Sequence, residues 1–167
     1  SIRKGTRSWC VHFNTSPEEG TARVGRCSVK TQAGDCMDYI LSRLALGNVR
    51  EAQADPPVDA ILNISEFHYP TTRIYRYLYF PDGVYIQPLG LIGECTQFIH
   101  EQVRSGRRVL IHCAEGISRS CVIGAAYLYE CGMSLDEAIA LIRSKRPIVD
   151  PAPSLLRALR DYYHIPE

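Results

Sequence analysis

Between Val109 and Glu130 the chain passes from a short apolar block, Val109-Leu110-Ile111, through His112-Cys113-Ala114-Glu115-Gly116-Ile117-Ser118-Arg119-Ser120 into a segment that is apolar around nearly its whole circumference. A strand that is apolar on both faces needs cover on both sides of its sheet. A helix without a polar face must lie inside the core. Together they point to a layered α/β domain in which the intervening loop links a buried strand to a central helix.

The neighbouring segments fit that layering. Ile40 to Leu46 reads as a short strand with a turn at Gly47-Asn48, and Val49 to Ala54 as a short helix stopped by Pro56-Pro57. Val58 to Ile64 is a near-continuous apolar run, the pattern of a buried strand, and Tyr75 to Phe80 is a second, more aromatic one. Pro88 suits the first turn of a helix carrying Ile92, Cys95, Phe98, Ile99 and Val103 at the 3.6-residue period up to Gly106. Ser134 and Glu137 form a capping box for a helix that reaches Lys145 and is ended by Pro147. Leu155, Leu156, Leu159 and Tyr163 mark a last amphipathic helix. Because helices repeatedly separate the strands, the pattern predicts an α/β fold with a mostly parallel central sheet flanked by helices.

The 167 residues suit one hydrophobic core, and 46% hydrophobic with 22% charged residues excludes extended disorder. A net charge of +1 supplies no field for nucleic acid, so no nucleic-acid partner is expected. The longest apolar run, Cys121 to Tyr129, is far below the roughly 18 to 20 residues of a membrane span. No apolar leader follows Ser1-Ile2-Arg3-Lys4, so no secretory signal is expected. Seven cysteines, an odd number without a CxxC pair, argue for a reducing compartment, cytoplasmic or nuclear. The five histidines lack metal-ligand spacing to any cysteine pair, and neither a metal nor a cofactor is expected.

Charge divides the chain near residue 36. Residues 1–36 carry a net +3 and residues 37–167 a net −2, which separates an N-terminal extension, its structure left open, from the main domain. Within the extension Trp9 to Phe13 could form a strand. The basic Arg3-Lys4 and Arg7 followed by Trp9, Val11 and Phe13 loosely resemble a kinase-docking segment, although a solvated tail is the plainer reading. Most of the five tyrosines between 69 and 85 are expected in strands, with one or two bordering the pocket. Cys121 and Cys131 read as core residues, Cys121 also as a redox partner for Cys113.

The 112–120 loop carries the chemistry. Where a strand turns into a helix, unpaired N–H groups and the helix dipole create an anion cradle. Gly116 permits the backbone angles of a tight turn, and Arg119 supplies a planar fork for two phosphate oxygens. Residues Ala114, Glu115, Gly116, Ile117 and Ser118 would surround the phosphate with Arg119, and Cys113 would lie at the floor. The helix N-terminus and the adjacent arginine favour a thiolate, which facing phosphorus is a nucleophile.

The spacing His112-Cys113-x-x-Gly116-x-x-Arg119-Ser120 resembles the active-site signature of the cysteine-dependent protein phosphatases, specifically the dual-specificity protein phosphatase family. The similarity extends to Leu44-Ala45-Leu46-Gly47-Asn48, Ile61-Leu62-Asn63, Ala126-Tyr127-Leu128 and Met133-Ser134-Leu135-Asp136-Glu137-Ala138, and covers residues 37–163. It implies a phosphoprotein phosphatase acting through a cysteinyl-phosphate, with Asp82 of Phe80-Pro81-Asp82-Gly83 as general acid and then as base. Glu66 and Glu94, the competing acids, read as structural. By the same resemblance Ser120 would stabilise the departing thiolate, and His112 would hold the loop and favour the thiolate by hydrogen bonding. Asn63 at a strand end would bond either the loop or its own turn.

Glu115 would repel a multiply anionic ligand, which favours a phosphoprotein over a phosphoinositide, a glucan phosphate or an RNA 5′-phosphate. The expected partners are therefore a phosphoprotein substrate and, as a candidate, a protein kinase. A phosphate-reading adaptor without turnover is the competing class, and a monomer or weak dimer is expected.

Overall fold

A computed structural model describes residues 37–83 and 90–166. Five strands, β1 (Asp38–Leu41), β2 (Leu44–Gly47), β3 (Ala60–Asn63), β4 (Ile74–Tyr77) and β5 (Val109–His112), form one sheet in the order β1-β2-β5-β3-β4. The β2–β5, β5–β3 and β3–β4 pairs are parallel and β1–β2 is antiparallel, so the sheet is mostly parallel, as expected. The helices are α1 (Val49–Gln53), α2 (Gly90–Arg104), α3 (Arg119–Glu130), α4 (Leu135–Lys145) and α5 (Pro153–Tyr163).

Period-two alternation assigns the strand residues to two faces. Leu44, Leu46, Leu62, Val109 and Ile111 join the larger core with Ile99, Ile123, Leu128, Ile142 and Leu159 of the four long helices. Ala45, Ile61 and Leu110 meet Ala52, Val58 and Tyr69 on the other face. Every residue of β3 and β5 is buried, which explains their unbroken apolar runs. Helix α3 is buried from Arg119 to Leu128 and is the central helix that its all-round apolar sequence requires. Both oxygens of the Ser134/Glu137 capping box make their bonds at the start of α4.

Several boundaries differ from the sequence reading. The single strand expected over Ile40 to Leu46 is a hairpin: the chain reverses at Ser42-Arg43, Leu41 pairs with Leu44, and Asp38 returns to Leu46. The reversal still leaves Ile40, Leu44 and Leu46 in one core. Gly47 ends β2 and Asn48 caps α1 in its own capping box with Glu51. The strands expected over Val58–Ile64 and Tyr75–Phe80 are shorter, at Ala60–Asn63 and Ile74–Tyr77. Pro88 and Tyr85, like the extension with its strand and kinase-docking readings, lie outside the described residues. Among the described residues no helix is long and apolar enough to cross a membrane.

In register, Gly47 and Asn63 both stand opposite His112, so three parallel strands end side by side. The 112–120 loop leaves from that shared carboxyl edge.

Candidate active site

The loop is built so that its amides face inward. In a planar trans peptide the C=O and N–H point in opposite directions, so a carbonyl held on the outside directs the next residue's N–H to the inside. The Cys113 carbonyl accepts from His112 Nδ1 at 3.1 Å, and the Ala114 carbonyl from the Val49 N–H at 3.2 Å. The Gly116 carbonyl accepts from Arg146 Nε at 2.8 Å, and the Ile117 carbonyl from the Asp150 N–H at 2.9 Å. The amides of Ala114, Glu115, Ile117 and Ser118 are thereby turned into the cradle. Gly116 has φ +69°, and its own N–H donates to Cys113 Sγ at 3.2 Å.

Helix α3 opens into the same cradle. Ser118 is its N-cap residue, yet its side chain makes no cap hydrogen bond; Ser118 Oγ instead accepts from the Ala152 N–H at 2.9 Å. The first-turn amides are left for an anion.

Cys113 is 2% exposed, and its Sγ lies 3.5 Å from Ser120 Oγ, within hydrogen-bond reach. Arg119 is 5% exposed. Its Nη1 donates to Glu66 Oε2 at 3.0 Å and to the Phe80 carbonyl at 3.1 Å. Its Nε is buried and has no hydrogen-bond partner among the described residues. An unsatisfied buried donor costs about 1–3 kcal/mol, more when charged, and a phosphoryl oxygen in the cradle is the partner that guanidinium geometry suits. Glu66 is thus bonded to the central arginine of the site, although its sequence position read as structural. Its own backbone N–H and the arginine hold its carboxyl below the usual range, against the opposing effect of burial.

Asp82 is exposed, two residues beyond the Phe80 carbonyl that holds Arg119, and its Oδ1 accepts from the Gly83 N–H at 2.9 Å. Glu115 is exposed, whereas Ala114 and Ile117 are half-buried. Asn63 serves its own turn: its side chain bonds the Ser65 N–H and hydroxyl, the Phe67 carbonyl and the Tyr75 hydroxyl. Cys121 is fully buried, and burial pushes its thiol up to about 12. Cys131 is half-buried.

Two further groups hold the loop: Tyr69 is among the five tyrosines of which one or two are expected to border the pocket, whereas Arg146 has no signal in the sequence. Tyr69 lies in the β3–β4 loop, not in a strand, and its hydroxyl is 2.7 Å from His112 Nε2. With Nδ1 donating to the Cys113 carbonyl, a neutral ring leaves Nε2 to accept from the Tyr69 hydroxyl. Burial drives the His112 pKa down to about 4, against the raising effect of the Cys113 carbonyl, with the Arg119 charge adding to the fall. Arg146 is 2% exposed behind the loop, with Nη1 on Asp38 at 2.8 Å and Nη2 on Glu51 at 3.3 Å. Burial pushes the Glu51 carboxyl up, against the Asn48 N–H and Arg146.

The neutral histidine has a measurable consequence. The unfolded chain binds a proton on this side chain near pH 6.5, which the folded chain does not take up until about pH 4. Stability contributed by His112 is therefore full above that window, falls as pH drops through it, and levels off below it. The loss reaches at most about 1.4 kcal/mol per pH unit. The urea midpoint should fall between pH 7 and 4, and less steeply in His112→Asn; equal slopes would contradict the assignment.

Residues 49–165 match the family model described as dual specificity phosphatase, catalytic domain. Dual specificity protein phosphatase 1 of Arabidopsis thaliana is 45% identical over 69 residues, which cover 41% of this chain and 35% of that protein. Dual specificity protein phosphatase 15 of Mus musculus is 31% identical over 138 residues, covering 77% of this chain and 58% of that protein. The crystal structure of human tyrosine phosphatase-like serine/threonine/tyrosine-interacting protein is similar with a TM-score of 0.72 at 25% identity, over 78% of this chain and 97% of that one. The chain spans less than two thirds of the length of both curated relatives. With more than half of its residues inside the family model and the loop geometry intact, the chain belongs to the dual specificity phosphatase family.

Proposed function

We propose that the protein is a phosphoprotein phosphatase that hydrolyses phosphotyrosine and phosphoserine or phosphothreonine through a cysteinyl-phosphate. The observation that carries this reading is the buried Arg119 Nε, without a hydrogen-bond partner among the described residues, beside a loop whose carbonyls are tied outward around Cys113 Sγ. The Cys113 thiolate attacks phosphorus, and the bond from phosphorus to the substrate oxygen breaks. Asp82 gives that oxygen its proton. Water then attacks the cysteinyl-phosphate with Asp82 taking its proton, the S–P bond breaks, and the Ser120 hydroxyl donates to the sulfur as it leaves. Arg119 and the inward amides hold the phosphoryl oxygens throughout, and His112 acts by positioning the loop. A reduced thiol nucleophile requires a reducing compartment, which supports cytoplasm or nucleus.

The mouth favours peptides. Phe67, Tyr79 and Ile148 are 50%, 46% and 57% exposed. Phe67 follows Glu66, Tyr79 precedes Phe80, and Ile148 stands two residues before Asp150, whose N–H holds the loop. Exposed apolar side chains next in sequence to the groups that hold Arg119 and the loop, together with exposed Glu115 and Asp82, suit a polypeptide with one phosphate better than a polyanionic headgroup. Phosphate release from a phosphotyrosine peptide, a phosphothreonine peptide, a phosphoinositide and a phosphorylated glucan tests this, with Cys113→Ser as blank. Peptide turnover that vanishes in the blank is expected. Turnover of lipid or glucan alone would replace the substrate class, and peptide binding without release would make the chain an adaptor.

A further inference from the structure

Arg146 stands at the end of a helix, and its side chain nevertheless donates to three acceptors from three separate groups, the most of any arginine among the described residues. Its Nε donates to the Gly116 carbonyl, its Nη1 to Asp38 of β1 and its Nη2 to Glu51 of α1. The three acceptors come from three separate parts of the chain, 30, 108 and 95 residues away. The fit is tight against the loop: a Cβ added at Gly116 would stand 2.5 Å from Arg146 Nη2 and 2.7 Å from the Gly47 carbonyl oxygen. A Cβ at Gly47 would stand 2.7 Å from Glu51 Oε2. The two glycines therefore leave room for one arginine in one orientation.

Burying a guanidinium is costly unless its charge and its donors are all met. A well-packed apolar side chain would fill such a gap at less cost, so the contacts point to what the group does for the loop. The Gly116 carbonyl and the Ile117 N–H belong to one peptide unit and point in opposite directions. Holding that carbonyl toward the core directs the Ile117 amide into the cradle. The same residue, Gly116, donates its N–H to Cys113 Sγ, so the peptide on one side of its α-carbon serves the nucleophile and the peptide on the other serves the phosphate.

We propose that Arg146 is a positioning residue for the phosphoryl-binding loop, held by Asp38 and Glu51 so that its Nε fixes the Gly116–Ile117 peptide with the Ile117 N–H aimed at the substrate's phosphoryl oxygens. The assignment rests on the phosphatase reading above. It links β1, the first described strand, to the active loop through a single side chain. Lysine retains the charge but has no Nε at the required place and cannot serve three acceptors in a fixed plane.

The test compares wild type with Arg146→Lys, Arg146→Met and Asp38→Asn. Asp38 is the acceptor nearest solvent, its side chain 36% exposed, so its variant keeps the question open to measurement if the others do not fold. Each folded variant is assayed well below its thermal midpoint for hydrolysis of p-nitrophenyl phosphate and for inhibition by orthovanadate. A misaimed amide should weaken orthovanadate inhibition and lower kcat/KM together, by about 10- to 100-fold in Arg146→Lys and Arg146→Met and by about 5- to 10-fold in Asp38→Asn. The pH at which Cys113 becomes reactive toward iodoacetamide should stay within about half a unit of wild type, since the sulfur keeps its Gly116 and Ser120 contacts. Orthovanadate inhibition within threefold of wild type in a folded Arg146→Lys, or in a folded Asp38→Asn if neither Arg146 variant folds, overturns the proposal alone. A wild type inert to both probes overturns the phosphatase reading and the proposal with it.

Discussion

Replacing Cys113 by serine is expected to lower kcat by at least about 10⁴-fold while phosphopeptide binding stays within a few-fold of wild type. The substitution exchanges sulfur for oxygen in a site that is 2% exposed, and both neighbours of the sulfur, the Gly116 N–H and the Ser120 hydroxyl, can serve an oxygen as well. The cradle is made by other groups: the outward carbonyls of Cys113, Ala114, Gly116 and Ile117 depend on His112, Val49, Arg146 and Asp150, none of which touches the sulfur. What is lost is the nucleophile, because a serine hydroxyl at neutral pH has no nearby base to ionise it: His112 is turned to the Cys113 carbonyl and Tyr69. Isothermal titration with a phosphotyrosine peptide, paired with a phosphate-release assay, separates the two quantities. Turnover within tenfold of wild type would remove Cys113 from the chemistry.

The second large effect belongs to Arg119. Changing it to lysine should reduce kcat/KM by about 10²- to 10⁴-fold, more than the loss of one neutral oxyanion donor. A lysine ammonium keeps the positive charge but cannot reach Glu66, the Phe80 carbonyl and a phosphoryl oxygen from one fixed plane. The loss should fall on kcat more than on KM, since charge on the phosphoryl oxygens is redistributed as the leaving group departs. Glu66→Gln provides the contrast: it keeps a hydrogen-bond acceptor for Nη1 and should cost far less. Steady-state kinetics on one phosphotyrosine peptide for both variants decides the point, and a loss below fivefold in Arg119→Lys would contradict the role.

Local pattern was sufficient wherever the determinant was local. The apolar runs of β3 and β5, the all-round burial of α3 and the Ser134/Glu137 box follow from periods and caps that span a few residues. The loop was legible for the same reason, because Cys113, Gly116, Arg119 and Ser120 lie within eight positions. The β1–β2 hairpin was not, since Ser42-Arg43 interrupts an apolar stretch without the glycine, proline or asparagine that usually marks a reversal. The residues that hold the loop were hidden more deeply. Arg146, next to Pro147, looks like a favourable charge at a helix C-terminus, and its partners are set only by the fold. Tyr69 reaches His112 across 43 positions, and Glu66 reaches Arg119 across 53. Such contacts leave no periodic trace, although the sequence does show the residue types: a buried arginine needs carboxylates, and Asp38, Glu51 and Glu66 were all available.

The most direct measurement is to quench the enzyme in acid within milliseconds of mixing with a phosphotyrosine peptide, digest it, and locate phosphate by mass spectrometry. Phosphate on the sulfur of Cys113 in the wild type, absent in Cys113→Ser, is the predicted result. Steady release of inorganic phosphate with no phosphate ever found on Cys113, or with phosphate on another side chain, would contradict the account at its centre.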